Sequence, residues 1–286
     1  MKTIISIAIT LSILLLNSFS QQADYSRLKA EAEAQYAQAS FSRAYEIYSG
    51  IDKSGLGPAD VRWVEFRIAD TKWRAQAATQ TADPTKFEES QKQLTELIRV
   101  ADGETDRDLV WAESHESLGD FFWTRMRDMN WNSAWPHYEK SLDWWAGQQQ
   151  VEIARNRYLG LIFKAAEPPR PNENYYYAYY GNYIPLNLLE NALKISVTQN
   201  DKAHLNFLIA MTMRSTGAWS ARQQTPDYFE DALTAGKQSD WYDDALYYYA
   251  EWMNSNGTTR QVADGQWQQE PDYVRALELF QRLTKE

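Results

Sequence analysis

Histidine is the residue most able to bind a metal or to transfer protons near neutral pH, and the chain has three of them. They are His115, His137 and His204. The stretch SHESLGD, with His115 and Glu116, begins like a zinc-binding helix, but the second histidine four positions after the first is missing. We therefore predict no metal site and no cofactor.

Paired carboxylates are the second kind of side chain that could carry a reaction, as acid and base in a hydrolysis. Glu88 with Glu89 and Asp243 with Asp244 are such pairs. Neighbouring residues on a helix point about 100° apart, so these carboxylates would lie on a solvated face instead of converging. The absence of cysteine excludes a thiol nucleophile, a thiolate zinc site and disulfides. The sequence thus predicts a protein that is not an enzyme.

Tryptophans are concentrated between residues 120 and 147, a stretch that contains five of them. A ring buried between helices contributes roughly 1.5–3 kcal/mol, so most of these rings are expected in a core. The adjacent Trp144 and Trp145 cannot both face inward from one helix. We expect one of this pair at a rim, where a partner or a sugar could stack on it.

A second aromatic segment, EPPRPNENYYYAYYGNYIPL at residues 167–186, has four prolines and six tyrosines and cannot be a continuous helix. Tyrosine binds proteins and glycans at low entropic cost because it has a large contact area and few rotatable bonds. The segment either packs over a helix face or presents its rings outward. In the second case the candidate contacts are Tyr175, Tyr176, Tyr177, Tyr179 and Tyr180.

The elements that must position these residues are helices, because apolar residues recur at spacings of three and four from residue 22 onward. A unit repeats in FSRAYEIY, WNSAWPHY and YVRALELF, in which Ala44, Ala134 and Ala276 each follow a bulky residue by three positions. Small residues at helix crossings let two backbones approach, as in tetratricopeptide repeats. We predict an all-α fold, an irregular tetratricopeptide-like α-α superhelix of about six helical hairpins interrupted by insertions.

The N-terminus has the features of a secretory signal peptide. Lys2 is followed by an apolar run from Ile4 to Leu16 and by small residues up to Ser20. This run is shorter than the ~20 residues that a membrane-spanning helix needs. We predict a signal peptide at residues 1–20, a helical repeat domain at residues 21–286, export to the periplasm or the extracellular space, and no membrane insertion after cleavage.

The charge of the chain argues against one class of partner. The chain has 39 acidic and 29 basic residues, a formal net charge of −10, so it repels phosphate backbones on average. We predict no nucleic-acid partner. At the C-terminus, the stripe that contains Leu279 and Leu283 would need a cover, which favours a chain that is the N-terminal part of a longer protein.

Several phrases are distinctive when taken together: DYSRLKAEAEAQYAQASFSRAYEIY, WAESHESLGDFFWTR, YYYAYYGNYIPLNLLENALKI and DWYDDALYYYAEWM. With the segments between them, they resemble the helical N-terminal region of very large exported bacterial alpha-2-macroglobulin-like proteins. The resemblance implies that macroglobulin-type domains follow and that the whole protein traps proteases. It also implies partners among those domains, proteases or envelope proteins. Thioester trapping needs a cysteine and therefore cannot reside in this chain.

The expected function is a non-enzymatic protein-interaction or spacer module of such an exported protein. Two alternatives stay open. One is an aromatic-rich glycan-binding protein of the cell envelope, which the 12 tryptophans and 18 tyrosines favour. The other is a helical-toroid glycosidase, for which no acid–base pair stands out in the sequence.

Overall fold

The structure is a computed structural model that describes residues 22–78, 83–103, 105–124, 130–166, 184–216, 219–239, 241–262 and 265–285. Over these ranges it has twelve α-helices, one short 3-10 helix and two β-strands. The predicted signal peptide and the tyrosines from Tyr175 to Tyr180 lie outside the described residues. Within the described ranges, no helix has both the length and the apolar character needed to cross a membrane.

The chain divides into two compact units, Met1–Trp144 and Trp145–Glu286. The helices of the first unit are α1 (residues 22–37), α2 (Phe41–Ser49), α3 (Pro58–Ala77), α4 (Pro84–Arg99), α5 (Leu109–Trp123) and most of α6 (Trp131–Ala146). The elements that follow are α7 (Val151–Ala166), α8 (Leu186–Ile195), α9 (Gln199–Thr216), α10 (Trp219–Ala232), the 3-10 helix Leu233–Ala235, α11 (Tyr242–Ser255), β1 (Thr258–Gln261), β2 (Trp267–Glu270) and α12 (Tyr273–Lys285).

Capping residues and prolines fix where several helices begin. The Asp83 side chain accepts a hydrogen bond from the Thr85 backbone N–H, and Pro84 is the first residue of α4. At the start of α5, Asp108 accepts a hydrogen bond from the Trp111 backbone N–H at 2.8 Å. These caps satisfy N–H groups that have no partner inside the helix.

Aromatic and aliphatic side chains of α3, α4 and α5 form a core in the first unit. Trp73 and Trp111 are almost fully buried there, and Trp73 meets Phe121 edge-on with ring centroids 5.6 Å apart. A second cluster joins α1 to α2 and α3 and includes Ala32 and Tyr48. The large rings thus lie between helices, where their burial stabilises the hairpins.

The pairing of α5 with α6 shows why a helix crossing needs a small residue. Gly119 on α5 lies against the Tyr138 ring on α6, and a Cβ added to Gly119 would come within 2.5 Å of two ring carbons. Ala44 and Ala134, which the repeat predicts at crossings, are fully buried. The predicted all-α fold of helical hairpins is confirmed. The superhelical course of the hairpins stays a prediction.

The second unit has its own core, formed mainly by α9, α10 and α11. Phe207 and Phe229 are fully buried, and Phe229 stacks on Tyr249 with ring centroids 5.2 Å apart. His204 on α9 stacks on Phe163 of α7 at 4.5 Å. Because α9 packs against both α8 and α10, it is the central helix of this arrangement.

A two-stranded sheet, which the all-α prediction does not include, forms between α11 and α12. β1 and β2 pair antiparallel, with Thr258 opposite Glu270. Gly257 precedes β1 with a φ of +62°, and a Cβ at this position would lie 1.8 Å from the Glu270 carbonyl oxygen. Glycine is therefore required for this close backbone approach. Strands this short carry too little alternation to be recognised from the sequence.

Candidate functional site

Two histidines of the first unit form a pair that sequence spacing does not reveal. His115 on α5 and His137 on α6 are 22 residues apart, yet their Nδ1 atoms lie 2.9 Å apart. Two neutral imidazoles can make this contact when one ring donates the hydrogen bond and the other accepts it. Burial lowers the pKa of His115 to about 3 and the pKa of His137 to about 4, and the positive charge of Lys140 acts in the same direction.

Aromatic rings enclose this histidine pair. Trp111 meets His115 edge-on with ring centroids 4.4 Å apart, and Phe122 stacks on His137 at 5.9 Å. In the part of the chain that the structure describes, no three His, Cys, Asp or Glu side chains gather as a metal-ligand set. The hydrogen bond between the two rings joins α5 to α6.

A network of buried and partly buried charged groups crosses the first unit from α1 to α6. Arg67 on α3 donates two hydrogen bonds to the Glu33 carboxylate on α1, at 2.9 and 2.7 Å. The Arg67 guanidinium also lies over the Tyr36 ring, 4.1 Å from its centroid. One turn further along α3, the buried Asp70 accepts a hydrogen bond from Arg74 at 2.9 Å.

The second half of this network joins α3 to α5 and α6. Arg74 donates to one oxygen of the Asp120 carboxylate at 2.6 Å, and the Tyr138 hydroxyl donates to the other at 2.9 Å. The Ser117 hydroxyl donates to Asp70 at 2.6 Å. Burial and the Asp120 charge raise the pKa of Tyr138 well above its ordinary value, so this hydroxyl keeps its proton.

These buried charges bind one another, which identifies the network as structural. Removing a single partner would leave an uncompensated charge in the interior. The sequence does contain a signal for it, since Arg67, Asp70 and Arg74 recur at spacings of three and four along one face of α3. Their partners Glu33 and Asp120 are too distant in sequence to be paired with them by spacing alone.

The predicted tryptophan contacts lie in two different environments at the end of α6. Trp145 is buried, and the Arg157 guanidinium lies 5.3 Å from its ring centroid. Trp144 is half-buried, packs against the core of the first unit and donates a hydrogen bond to the Arg107 carbonyl oxygen at 3.4 Å. Trp144 is therefore the member of the pair that keeps accessible surface.

The two carboxylate pairs that could have served as acid and base lie on different helices. Glu88 and Glu89 are exposed on α4, and Glu89 forms an ion pair with Lys72 at 3.2 Å. Asp243 and Asp244 lie in the first turn of α11. Negative charge is favourable there because it faces the positive end of the helix dipole. A structural role accounts for both placements.

One side of α12 presents apolar side chains to solvent. Tyr273, Val274 and Leu277, called the α12 face below, are 66%, 72% and 57% exposed. Ala276 and Leu279 on the other side of the helix are buried, and α12 packs against α11. The repeat pattern predicts Tyr273 at a packing position, but the structure places it outside the core. The α12 face is thus a candidate protein-binding surface.

The second unit also contains an open polar cleft of about 750 Å³ between α8, α9 and α10. Helix α9 contributes Lys202 and Asn206, and α10 contributes Gln224, Asp227 and Tyr228. The remaining lining residues are Leu193, Gln199, Asp231 and Thr234. No residue of this polar cleft was named as a site residue from the sequence. The missed signal is a polar stripe at helical spacing on two consecutive helices.

No protein-family model, no curated protein and no solved structure matches this chain. The likeness to macroglobulin-like proteins therefore rests on the sequence phrases alone. Function has to be inferred from the surfaces that the helices present.

Proposed function

We propose that the chain is a non-enzymatic protein-interaction module, and that the α12 face is its contact surface. The observation that carries this proposal is the exposure of Val274 and Leu277, at 72% and 57%, on a helix whose opposite side is buried. Contiguous exposed apolar side chains on a folded protein are typical of a surface that a partner covers. The sequence resemblance adds a context, in which the module belongs to an exported alpha-2-macroglobulin-like protein.

The occupant that fits the α12 face best is an α-helix of a partner protein. Tyr273, Val274 and Leu277 fall within about 100° of each other around the helix axis, so they form a ridge that another helix can accept in a groove. Two arginines of the same helix already have partners. Arg275 binds Glu230 and Glu278, and Arg282 donates to the Tyr242 hydroxyl. The surface thus favours an apolar helix over an anionic ligand.

Site-specific crosslinking tests this proposal. A photoreactive benzoylphenylalanine replaces Leu277 in cells that express the chain, and the matched control places it at Val100, which is 53% exposed in the first unit. We expect one discrete protein adduct from position 277 that is missing from position 100. Leu277→Glu in the purified module should then weaken the captured complex at least tenfold, as loss of a central interface residue does.

Two outcomes contradict the proposal. One is the same set of adducts from positions 277 and 100, which would mean nonspecific contact. The other is an adduct whose formation is unchanged by a neighbouring Val274→Glu substitution, because a charge in a genuine helix–helix contact is strongly unfavourable. Circular dichroism of each variant verifies that the helices remain folded.

A further inference from the structure

We propose that the polar cleft between α8, α9 and α10 binds a neutral carbohydrate. This site is independent of the α12 face and of the tryptophans and tyrosines that the sequence singled out. Its volume of about 750 Å³ lies within the range of small-molecule sites and would accept a short oligosaccharide.

The polar cleft is built by two matching stripes on neighbouring helices. On α10, Gln224, Asp227, Tyr228 and Asp231 follow at intervals of three, one and three residues, which places them on one face. In a packed helix pair this spacing normally carries apolar residues. The adjacent Phe229 does turn into the core and is fully buried. The polar face of α10 is therefore directed away from the core and into the cleft.

Amide side chains on α9 and α10 indicate the chemistry of the ligand. Asn206 is only 8% exposed, and its side chain lines the cleft from α9. Gln224 lines the cleft from α10 and is exposed. An amide side chain offers both hydrogen-bond donors and an acceptor. A ligand with both donors and acceptors can therefore bind the two amides together.

Sugars have the matching chemistry. Each hydroxyl both donates and accepts, so vicinal hydroxyls bind to amides and carboxylates, and the C–H face of the ring packs on an aromatic side chain. Tyr228 is the aromatic residue that lines the cleft, and it is half-buried. Burial, with the charges of Glu190 and Asp231, raises the pKa of Tyr228, so its hydroxyl stays a neutral donor.

The charges in the polar cleft favour a neutral ligand. Lys202 supplies one ammonium group, while Asp227 and Asp231 supply two carboxylates. A site for an anion or a cation concentrates charge of one sign, whereas hydroxyl groups can bind to both signs. The end of the cleft is held by hydrogen bonds inside the protein, from Gln199 to the Thr234 hydroxyl and from this hydroxyl to the Asp231 carbonyl oxygen, each at 2.7 Å.

Binding of defined oligosaccharides to the full chain tests this inference. The panel consists of cellohexaose, maltohexaose, chitohexaose and xylohexaose, each followed by saturation-transfer NMR and titration calorimetry. We expect at least one of them to bind. Tyr228→Ala and Gln224→Ala should each weaken this binding roughly tenfold, because each variant removes one ring contact or hydrogen-bonding group.

Tyr273→Ala is the matched control, since it removes an exposed tyrosine of the same unit that does not line the cleft. We expect this variant to bind the oligosaccharide with the same affinity as the unchanged protein. Leu277→Glu should also leave the oligosaccharide affinity unchanged. Because Gln224 is exposed, its replacement keeps the core intact. The inference is overturned by failure of the whole panel to bind at millimolar concentration, by unchanged affinity in both cleft variants, or by binding of trilysine without any sugar.

Discussion

The Asp120 network in the first unit and the polar cleft in the second use polar side chains in different ways. In the first unit, the partly buried Arg74 binds the buried Asp120 carboxylate. In the second unit, Asn206 and Gln224 line an open cleft. A paired charge fixes how helices meet, whereas a polar side chain on an open cleft can exchange bound water for a ligand. The Asp120 network therefore specifies structure, and the polar cleft is available to a ligand.

Asp120 provides the largest test of this contrast. Asp120→Ala removes the acceptor of both Arg74 and Tyr138 and leaves the Arg74 charge without this partner in the interior. We expect a loss of about 3–5 kcal/mol in the free energy of unfolding, measured by urea denaturation. The matched control is Asp227→Ala in the polar cleft, whose carboxylate is exposed. Its effect should stay within about 0.5 kcal/mol. Equal losses in both variants would contradict the distinction.

Glycines in the two units should also respond differently to an added methyl group. Gly119→Ala places a Cβ within 2.5 Å of the buried Tyr138 ring and should destabilise the first unit by about 1–3 kcal/mol. At Gly160 on α7, no atom lies within 4 Å of the added Cβ, so Gly160→Ala should stabilise the helix by about 0.5–1 kcal/mol. Thermal unfolding followed by circular dichroism measures both signs. If Gly119→Ala raised the stability instead, the α5–α6 crossing would be able to accommodate an added methyl group.

The histidine pair makes the first unit sensitive to acid. His115 and His137 stay neutral in the folded protein because their pKa values are lowered to about 3 and about 4. The unfolded chain takes up these protons below pH 6.5, so stability is full above pH 6.5 and falls as the pH drops towards these lowered values. At pH 5 the loss is roughly 2 kcal/mol per ring.

Urea denaturation between pH 7 and pH 4 checks this expectation. The double variant His115→Phe with His137→Phe keeps two rings in place but cannot titrate. It should lose the part of the pH dependence that starts near pH 6.5, while the contributions of carboxylates at lower pH remain. An identical pH profile for the variant and the unchanged protein would show that folding does not lower the pKa values of the two imidazoles.

The sequence predicts the helices well because helical periodicity and small residues at crossings are local signals. Ala44 and Ala134 are buried as the repeat predicts, and Gly119 meets Tyr138 where a close crossing is needed. Tyr273 occupies a motif position in the third copy of the repeat but is exposed. The same local pattern cannot tell a packed face from an unpacked one, because the difference depends on a neighbour elsewhere in the chain.

The candidate binding surfaces were much harder to predict. The sequence drew attention to the adjacent Trp144 and Trp145, and the structure buries Trp145 while Trp144 packs on a core. Asn206 and Gln224 are ordinary polar residues in the sequence. They become candidate binding residues only because α9 and α10 place them along one cleft.

By itself, the sequence determined that this protein is helical and acidic and that it has no cysteine chemistry, since composition and short-range spacing fix these properties. Tertiary structure alone decided that His115 meets His137, that Arg74 meets Asp120, and that the polar stripes of α9 and α10 line a common cleft. The physical reason is the distance along the chain over which each kind of interaction acts. A helix forms from interactions within four residues, whereas the pairing of side chains tens of residues apart depends on how whole helices pack.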